Sequence, residues 1–309
     1  MIKMEKQKRR VKNNVKGILL LDKPIGTSSN RLLQSVKLIY NAKKAGHTGS
    51  LDVPASGLLP ICFGEATKMS GYLLNSNKKY FVQCKLGETT TTGDAAGTLL
   101  LTRLIPQISE KILTTIFKDF VGNIQQTPPM FSSLKHNGKR LYEFAYKGIE
   151  IERKARYIRI YSIELLRISK DYFEIEVYCS TGTYVRTLVE DIGEAIGCGA
   201  HVQSLRRLEV GPFNVLHAIT LGEIELIAKK GQQALYNLLL PIDTILKDFP
   251  KILLTGDKLN CFCQGQSIEV SGIPKLGQLR IYNSSNEFIG LGEVIKNSRI
   301  KAKRLINIV

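Results

Sequence analysis

Two adjacent segments, ARYIRIYSIELLRIS and DYFEIEVYCS, alternate apolar and polar side chains over most of their length. Successive side chains of a strand point to opposite faces, so the pattern predicts strands with one buried face; the short break between them predicts antiparallel neighbours. The second segment turns through TGTY into VRTLVEDIGEAIGCG. There Val185, Leu188, Val189, Ile192 and Ile196 recur at helical spacing, and Gly197 or Gly199 can end the helix. Strands paired edge to edge with helices across one face give an α+β fold with a mixed, largely antiparallel sheet.

The rest of the chain fits this frame. GILLLDK reads as a strand, followed by a helix that Ser28 or Ser29 can cap and that carries Leu32, Val36 and Ile39 on one face. EATKMSGYLLNS suits a helix, KKYFVQCKLG a strand and ETTTTGDAAG a polar loop. Residues 106–122 read as a helix with Ile108, Ile112 and Ile116 on one side. The Pro-Pro segment at 128–129 begins extended and leads into a basic, aromatic-containing helix, and a helical region runs to about residue 247. Asp248, Phe249 and Pro250 mark a boundary, after which short strand patterns with Gly turns predict a small β-barrel-like domain. The expected division is a basic, flexible arm over 1–16, a main domain over 17–247 and a second domain over 248–309.

The 309 residues carry a formal net charge of +17, and residues 1–16 alone hold seven Lys or Arg against one Glu. An excess of that size favours a polyanionic partner, with nucleic acid ahead of an anionic membrane surface. No run approaches the roughly 18 apolar residues of a membrane span. The six cysteines form no C-x-x-C pair and the four histidines show no helical metal spacing, so no zinc site is expected. Cysteines in strand-like segments without a signal peptide point to a reducing cytosol.

One loop-like stretch stands out, GHTGSLDVPASGLLP, residues 46–60. It holds His47 and Asp52 among Gly, Ser and Pro and runs directly into an apolar strand. An Asp in such a loop is ordinarily a turn residue. The chain has no G-x-x-x-x-G-K-[ST] or G-x-G-x-x-G phosphate loop and no G-x-S-x-G nucleophile elbow.

Taken with GILLLDKPIGTSSN, AGHTGSLDVPASGLLPICFGEATK, KKYFVQCKLGETTTTGDAAG, QQTPPMFSSLKHNGKRLYEFAYKG and GTYVRTLVEDIGEAIGCGAHVQSLRRLEVGPF, that loop resembles the TruB-type tRNA pseudouridine synthases, in family order and over nearly the whole chain after residue 16. The resemblance implies the pseudouridine-synthase fold over 17–247, a PUA-like RNA-binding β-barrel over 248–309, and a substrate uridine at position 55 in the T-loop of tRNA. It implies that Asp52 is the catalytic aspartate, Tyr80 the active-site tyrosine and Arg186 the arginine that pairs with the aspartate. It places His47, Tyr184 and Leu205 around the substrate uridine, beside Tyr80. Lys23, Lys135, Lys139, Arg140, Arg206 and Arg207 are then read as RNA phosphate contacts.

The chemistry agrees with such a set. Uridine becomes pseudouridine when the C1′–N1 bond breaks and C1′ bonds to C5; nothing is oxidised or reduced, and no metal or organic cofactor is expected. A carboxylate can stabilise or capture the sugar, and a neighbouring guanidinium favours its charged form. The base must leave its stack, and a tyrosine can stack on it and handle a proton. Without the resemblance, Arg186 could instead pair with Glu190 one turn on, Tyr80 could be a half-buried core residue, and His47 a loop histidine bonded to backbone. Two readings compete with a stand-alone, monomeric enzyme: a guide-RNA-dependent synthase and a non-catalytic RNA-binding or RNA-folding protein. The chain departs from the family pattern at Asp52-Val53-Pro54, where the proline has moved by one, and at Thr91 and Ala96, where acidic residues are usual.

Overall fold

The computed structural model describes residues 11–296 and 298–306. Its centre is a ten-stranded sheet, in spatial order Ile219–Thr220, Gly17–Lys23, Ser56–Phe63, Ala200–Val210, Lys78–Leu86, Tyr172–Cys179, Arg156–Ile168 and Gly122–Gln126. Ala45–His47 pairs with Ser56–Phe63 and Phe213–Asn214 with Ala200–Val210. The pairings of Gly17–Lys23 with Ile219–Thr220 and of Ala200–Val210 with Ser56–Phe63 are parallel; the others are antiparallel. The fold is α+β, with a mixed, largely antiparallel sheet flanked by helices.

Alternation sets which face is covered. Lys78, Tyr80, Val82, Cys84 and Leu86 point one way from their strand and are buried. With Phe173, Ile175 and Val177 of the next strand they meet Leu188, Val189 and Ile192 of helix Val185–Ile196 and Leu113 and Phe117 of helix Glu110–Phe120. Gly197, at φ 95°, ends the first of these helices as expected. Ser56–Phe63 is apolar on both faces because cores lie on both sides. Leu59, Ile61 and Phe63 face helix Ser29–Ile39 and its neighbours, while Leu58 and Cys62 face Ala66, Met69 and Leu73.

Residues 251–305 contribute a five-stranded sheet, in order Lys251–Leu253, Gln278–Tyr282, Phe288–Ile295, Arg299–Leu305 and Ile268–Glu269. Helix Gly256–Cys263, not anticipated from the strand patterns, packs Phe262 into its core. This PUA-like unit is tied to short helices beside the main sheet by Tyr72 donating to Gln278 at 2.5 Å, Lys68 to the Leu305 carbonyl at 3.1 Å and Tyr282 to Asp243 at 2.6 Å.

Several local expectations change. Residues 1–10 of the basic arm lie outside the described residues. Residues 11–16 are held against the body: Asn13 N–H donates to Asn41 at 2.7 Å, Lys43 N–H to Asn13 at 2.9 Å, and Val15 is buried. The 106–122 helix starts only at Glu110, capped by Ser109, so its buried face carries Leu113 and Phe117 and Ile112 turns outward. EATKMSGYLLNS splits into a 3₁₀ turn, Gly64–Lys68, and a short helix, Ser70–Leu74. The polar loop after residue 87 contains a strand, Glu88–Thr90, paired with Leu99–Thr102. The basic helix after the prolines is replaced by a hairpin, Lys135–His136 against Lys139–Arg140, with only Leu141–Ala145 helical. Asn137 and Gly138, both at positive φ, form its turn, and Asn-Gly is the residue pair such a turn selects.

Gly57 shows how tightly the sheet closes beside the quoted loop. At φ 102°, a Cβ there would lie 2.3 Å from the Arg207 carbonyl oxygen. Gly57→Ala is expected to lower stability by about 2–4 kcal/mol in urea unfolding. Gly222→Ala, at an open helical position, should change it by less than about 1 kcal/mol.

Candidate active site

The loop that carries Asp52 is clamped on both sides. Before it, Ser29 Oγ accepts from Leu51 N–H at 2.8 Å and donates to the Leu51 carbonyl at 3.0 Å. Ala55 N–H closes a turn on the Asp52 carbonyl at 3.1 Å, with Val53 and Pro54 inside it, so the displaced proline is accommodated. Gly26 N–H reaches the Val53 carbonyl at 2.9 Å. Lys23 Nζ then donates to the carbonyls of Pro24, Val53 and Ala55 at 2.9, 3.3 and 2.5 Å. The backbone is held while the Asp52 side chain stays half exposed.

Arg186 comes from across the sheet. It sits in the first turn of helix Val185–Ile196, whose entry is fixed by the buried Gln126: Tyr184 N–H donates to Gln126 Oε1 at 2.7 Å and Gln126 Nε2 to the Tyr184 carbonyl at 3.0 Å. The Arg186 side chain is 7% exposed. Nη1 donates to the Thr92 carbonyl at 2.6 Å and Nη2 to the Phe131 carbonyl at 2.7 Å. Nη2 also lies 3.0 Å from Asp52 Oδ2, and Nε lies 3.9 Å from Asp94 Oδ2. A planar fork with several fixed donors suits such a bridge, and an ammonium does not. Glu190, one turn on, makes no ion pair with Arg186 among the described residues; burial raises its pKa to about 7, opposed by the Arg186 charge.

Asp94 is itself oriented, accepting from Thr92 Oγ1 at 2.6 Å and from Ala96 N–H at 3.1 Å. Thr91 Oγ1 accepts from Thr98 N–H at 3.0 Å, so the loop keeps its shape with threonine at 91 and alanine at 96. Asp52, Asp94, Arg186, Val202 and Leu205 border one cleft of about 20 Å³, room for about one water. A nucleoside therefore has to enter over the exposed edge of Asp52.

Tyr80 lies beneath the loop, 8% exposed, with its pKa raised by burial and held back by the charge of Arg207. His47 ends the short strand before the loop. Its Nδ1 is buried without a hydrogen-bond partner, which sets aside the backbone-bonded alternative. Its pKa is lowered by burial and then by the charges of Arg207 and of Arg140 at the base of the basic hairpin. The Tyr184 ring carries the Arg156 guanidinium 5.0 Å from its centroid.

Two of the expected phosphate contacts are corrected. Lys23 is fully buried, and its ammonium is consumed by the three loop carbonyls. Arg207 is 1% exposed and donates to the carbonyls of Leu58 and Gly49 at 2.8 and 3.1 Å. Both side chains lie on covered faces of their strands, which charge counting alone does not reveal. Arg206 points outward into a two-pronged pair with Asp22 at 3.0 and 2.6 Å. Lys135, Lys139 and Arg140 are exposed on the hairpin. Sequence reasoning missed the parts played by Ser29, Thr92, Asp94 and Gln126. Asp94 was visible as an acid in a Gly-rich loop, whereas nothing marks a strand-terminal Gln as a helix anchor. Among the described residues, no group of three or more His, Cys, Asp or Glu side chains could hold a metal ion, and no helix is long and apolar enough to cross a membrane.

Residues 37–185 match the TruB family pseudouridylate synthase N-terminal domain, 186–247 the tRNA pseudouridylate synthase B C-terminal domain, and 250–306 the pseudouridine synthase II TruB C-terminal domain. A tRNA pseudouridine synthase B of Nitrosococcus oceani is 48% identical over 98% of this chain and 98% of its own. That of Methylobacillus flagellatus is 47% identical over 97% and 98%. Among solved structures, a Cbf5-Nop10-Gar1 complex contains a chain with TM-score 0.71 and 25% identity, covering 94% of this chain and 84% of that one.

The reassignment of Lys23 is testable. Lys23→Met strands three loop carbonyls and is expected to cost about 1–3 kcal/mol in urea unfolding. The slope of log RNA affinity against log salt should stay as in the unaltered protein, whereas loss of a true phosphate contact would reduce it by about one.

Proposed function

Because the chain belongs to the TruB family of pseudouridine synthases, we propose that it is a tRNA pseudouridine synthase that converts the uridine at position 55 of the T-loop. The substrate is recognised chiefly through the folded shape of the T-arm, as structured RNA commonly is. The protein works as a monomer, without a guide RNA. The buried free thiols of Cys62, Cys84, Cys179 and Cys198 suit the reducing cytoplasm.

The observation that carries this reading is the 3.0 Å approach of Arg186 to Asp52. The target nucleotide flips out of its stack and brings its sugar to the Asp52 carboxylate. Arg186 fixes the direction of that carboxylate and keeps a positive charge beside it as the C1′–N1 bond breaks. The freed base turns over under Tyr80 and Leu205, and C1′ joins C5. The hydrogen lost from C5 is balanced by one gained at N1, and Tyr80 takes the C5 proton. His47 and Tyr184 border the entry, and Lys135, Lys139 and Arg140 meet phosphates of the bound RNA. A guide-dependent enzyme would need further components, and a pure RNA binder would not need a carboxylate so closely held.

Purified protein with an isolated T-arm stem-loop is expected to form pseudouridine at the position equivalent to 55, mapped chemically. Asp52→Asn should slow the reaction by at least about a thousandfold, with RNA affinity within about twofold. Full activity of the variant contradicts the catalytic assignment, and inactivity of the unaltered protein on the stem-loop contradicts the stand-alone reading.

A further inference from the structure

Arg207 is a buried cation with no carboxylate partner at ion-pair distance among the described residues. Burying a charge in that way is costly unless it is well hydrogen-bonded. Its hydrogen-bond acceptors are the carbonyls of Leu58 and Gly49, and its charge acts on the Tyr80 side chain. The register explains this last effect. Arg207 and Tyr80 are direct partners across the antiparallel pair Ala200–Val210 and Lys78–Leu86, so both side chains leave the sheet on the same face. On its other edge Arg207 pairs with Gly57, where the absence of a side chain lets the strands approach.

We propose that Arg207 is a positioning residue for the reaction, aiming the Tyr80 hydroxyl at the base and stabilising negative charge on its oxygen. This rests on the reading of Tyr80 as the group that handles the C5 proton. For Tyr80 to take that proton its oxygen must first be a phenolate. The phenol releases its own proton to water, the C5 proton restores it when C1′–C5 has formed, and N1 draws its proton from water. Atoms and charge balance, with nothing oxidised.

Burial opposes the phenolate, and the Arg207 charge offsets it. The other groups felt by Tyr80 are Cys179, from the neighbouring strand Tyr172–Cys179, and Asp52, from the loop; both oppose its ionisation. Among the described residues Arg207 is therefore the cation acting on Tyr80 that favours it. Two further buried ammoniums, Lys23 and Lys78, each brought down to about 8 chiefly by burial, lie in the same part of the sheet and feel the Arg207 charge. Their hydrogen bonds go to backbone carbonyls, and the Asp52 charge acts on Lys23 from the loop above.

A purely structural Arg207 would clamp Gly49 and Leu58 whatever stands at position 80, so a double-mutant cycle separates the roles. Single-turnover pseudouridine formation on tRNA is measured for the unaltered protein, Arg207→Met, Tyr80→Phe and the double variant, with tRNA affinity measured in parallel. Arg207→Met is expected to slow the reaction at least about tenfold, with affinity within about twofold, and to change the rate less than about twofold when Tyr80 is already Phe. An equal slowing in both backgrounds, or none in either, overturns the inference. Should Arg207→Met fail to fold, Arg207→Lys carries the same cycle. There the rising, low-pH limb of the pH–rate profile, which reports formation of the phenolate, should shift to higher pH when Tyr80 is present and show no such shift when it is Phe; a profile unmoved in both overturns the inference. If Tyr80→Phe alone keeps the full rate, the reading of Tyr80 fails and this inference with it, while the Asp52 test stands apart.

Discussion

The site depends on one guanidinium. Arg186 is buried at the start of a helix and gathers four oxygens that the sequence scatters widely: the Thr92 and Phe131 carbonyls, Asp52 and, more distantly, Asp94. Those contacts bind the quoted loop, the Thr-rich loop and the Pro-Pro segment to the helix that crosses the sheet. Removing the charge would leave a carboxylate and two carbonyls facing one another. Removing only the planar fork would leave the charge without the geometry. Stability of the site and aim of the carboxylate are therefore one requirement.

Around that pair the strands act as a ruler. Lys78–Leu86 puts Tyr80 on the same face as the helix, and Ala200–Val210 puts Leu205 at the cleft and Arg207 against Tyr80. Gly57 lets the Asp52 loop close onto that strand. The half-exposed carboxylate above and the buried cations below give the site a polarity: open to a nucleoside on one side, dry and positive on the other. A dry site strengthens such interactions because water no longer screens them.

Much of this was legible before any coordinates. Period-two alternation at 156–179 and helical spacing at 185–196 are strong signals because one face of each element is buried, and they fix the central sheet and its covering helix. The motif string brought Asp52, Tyr80 and Arg186 into one site, and they do lie together. Most of the misread elements are short: a 3₁₀ turn, a two-residue hairpin and a five-residue helix carry too few positions to show a period, and the eight-residue helix Gly256–Cys263 is little longer. Lys23 and Arg207 were misread for a different reason. A lysine or arginine counted as charge looks like a surface residue, and only tertiary pairing shows that backbone carbonyls have absorbed it. Ser29 was read only as a possible helix cap and Gln126 only as part of a motif, since their work is to satisfy backbone groups of segments distant in the chain.

The most direct test is the single-turnover rate of pseudouridine formation on tRNA by Arg186→Lys, which keeps the charge and loses the fork. The account predicts a fall of at least about a hundredfold with tRNA affinity within about twofold, because an ammonium cannot hold the Thr92 and Phe131 carbonyls and still meet Asp52. A rate equal to that of the unaltered protein would contradict it.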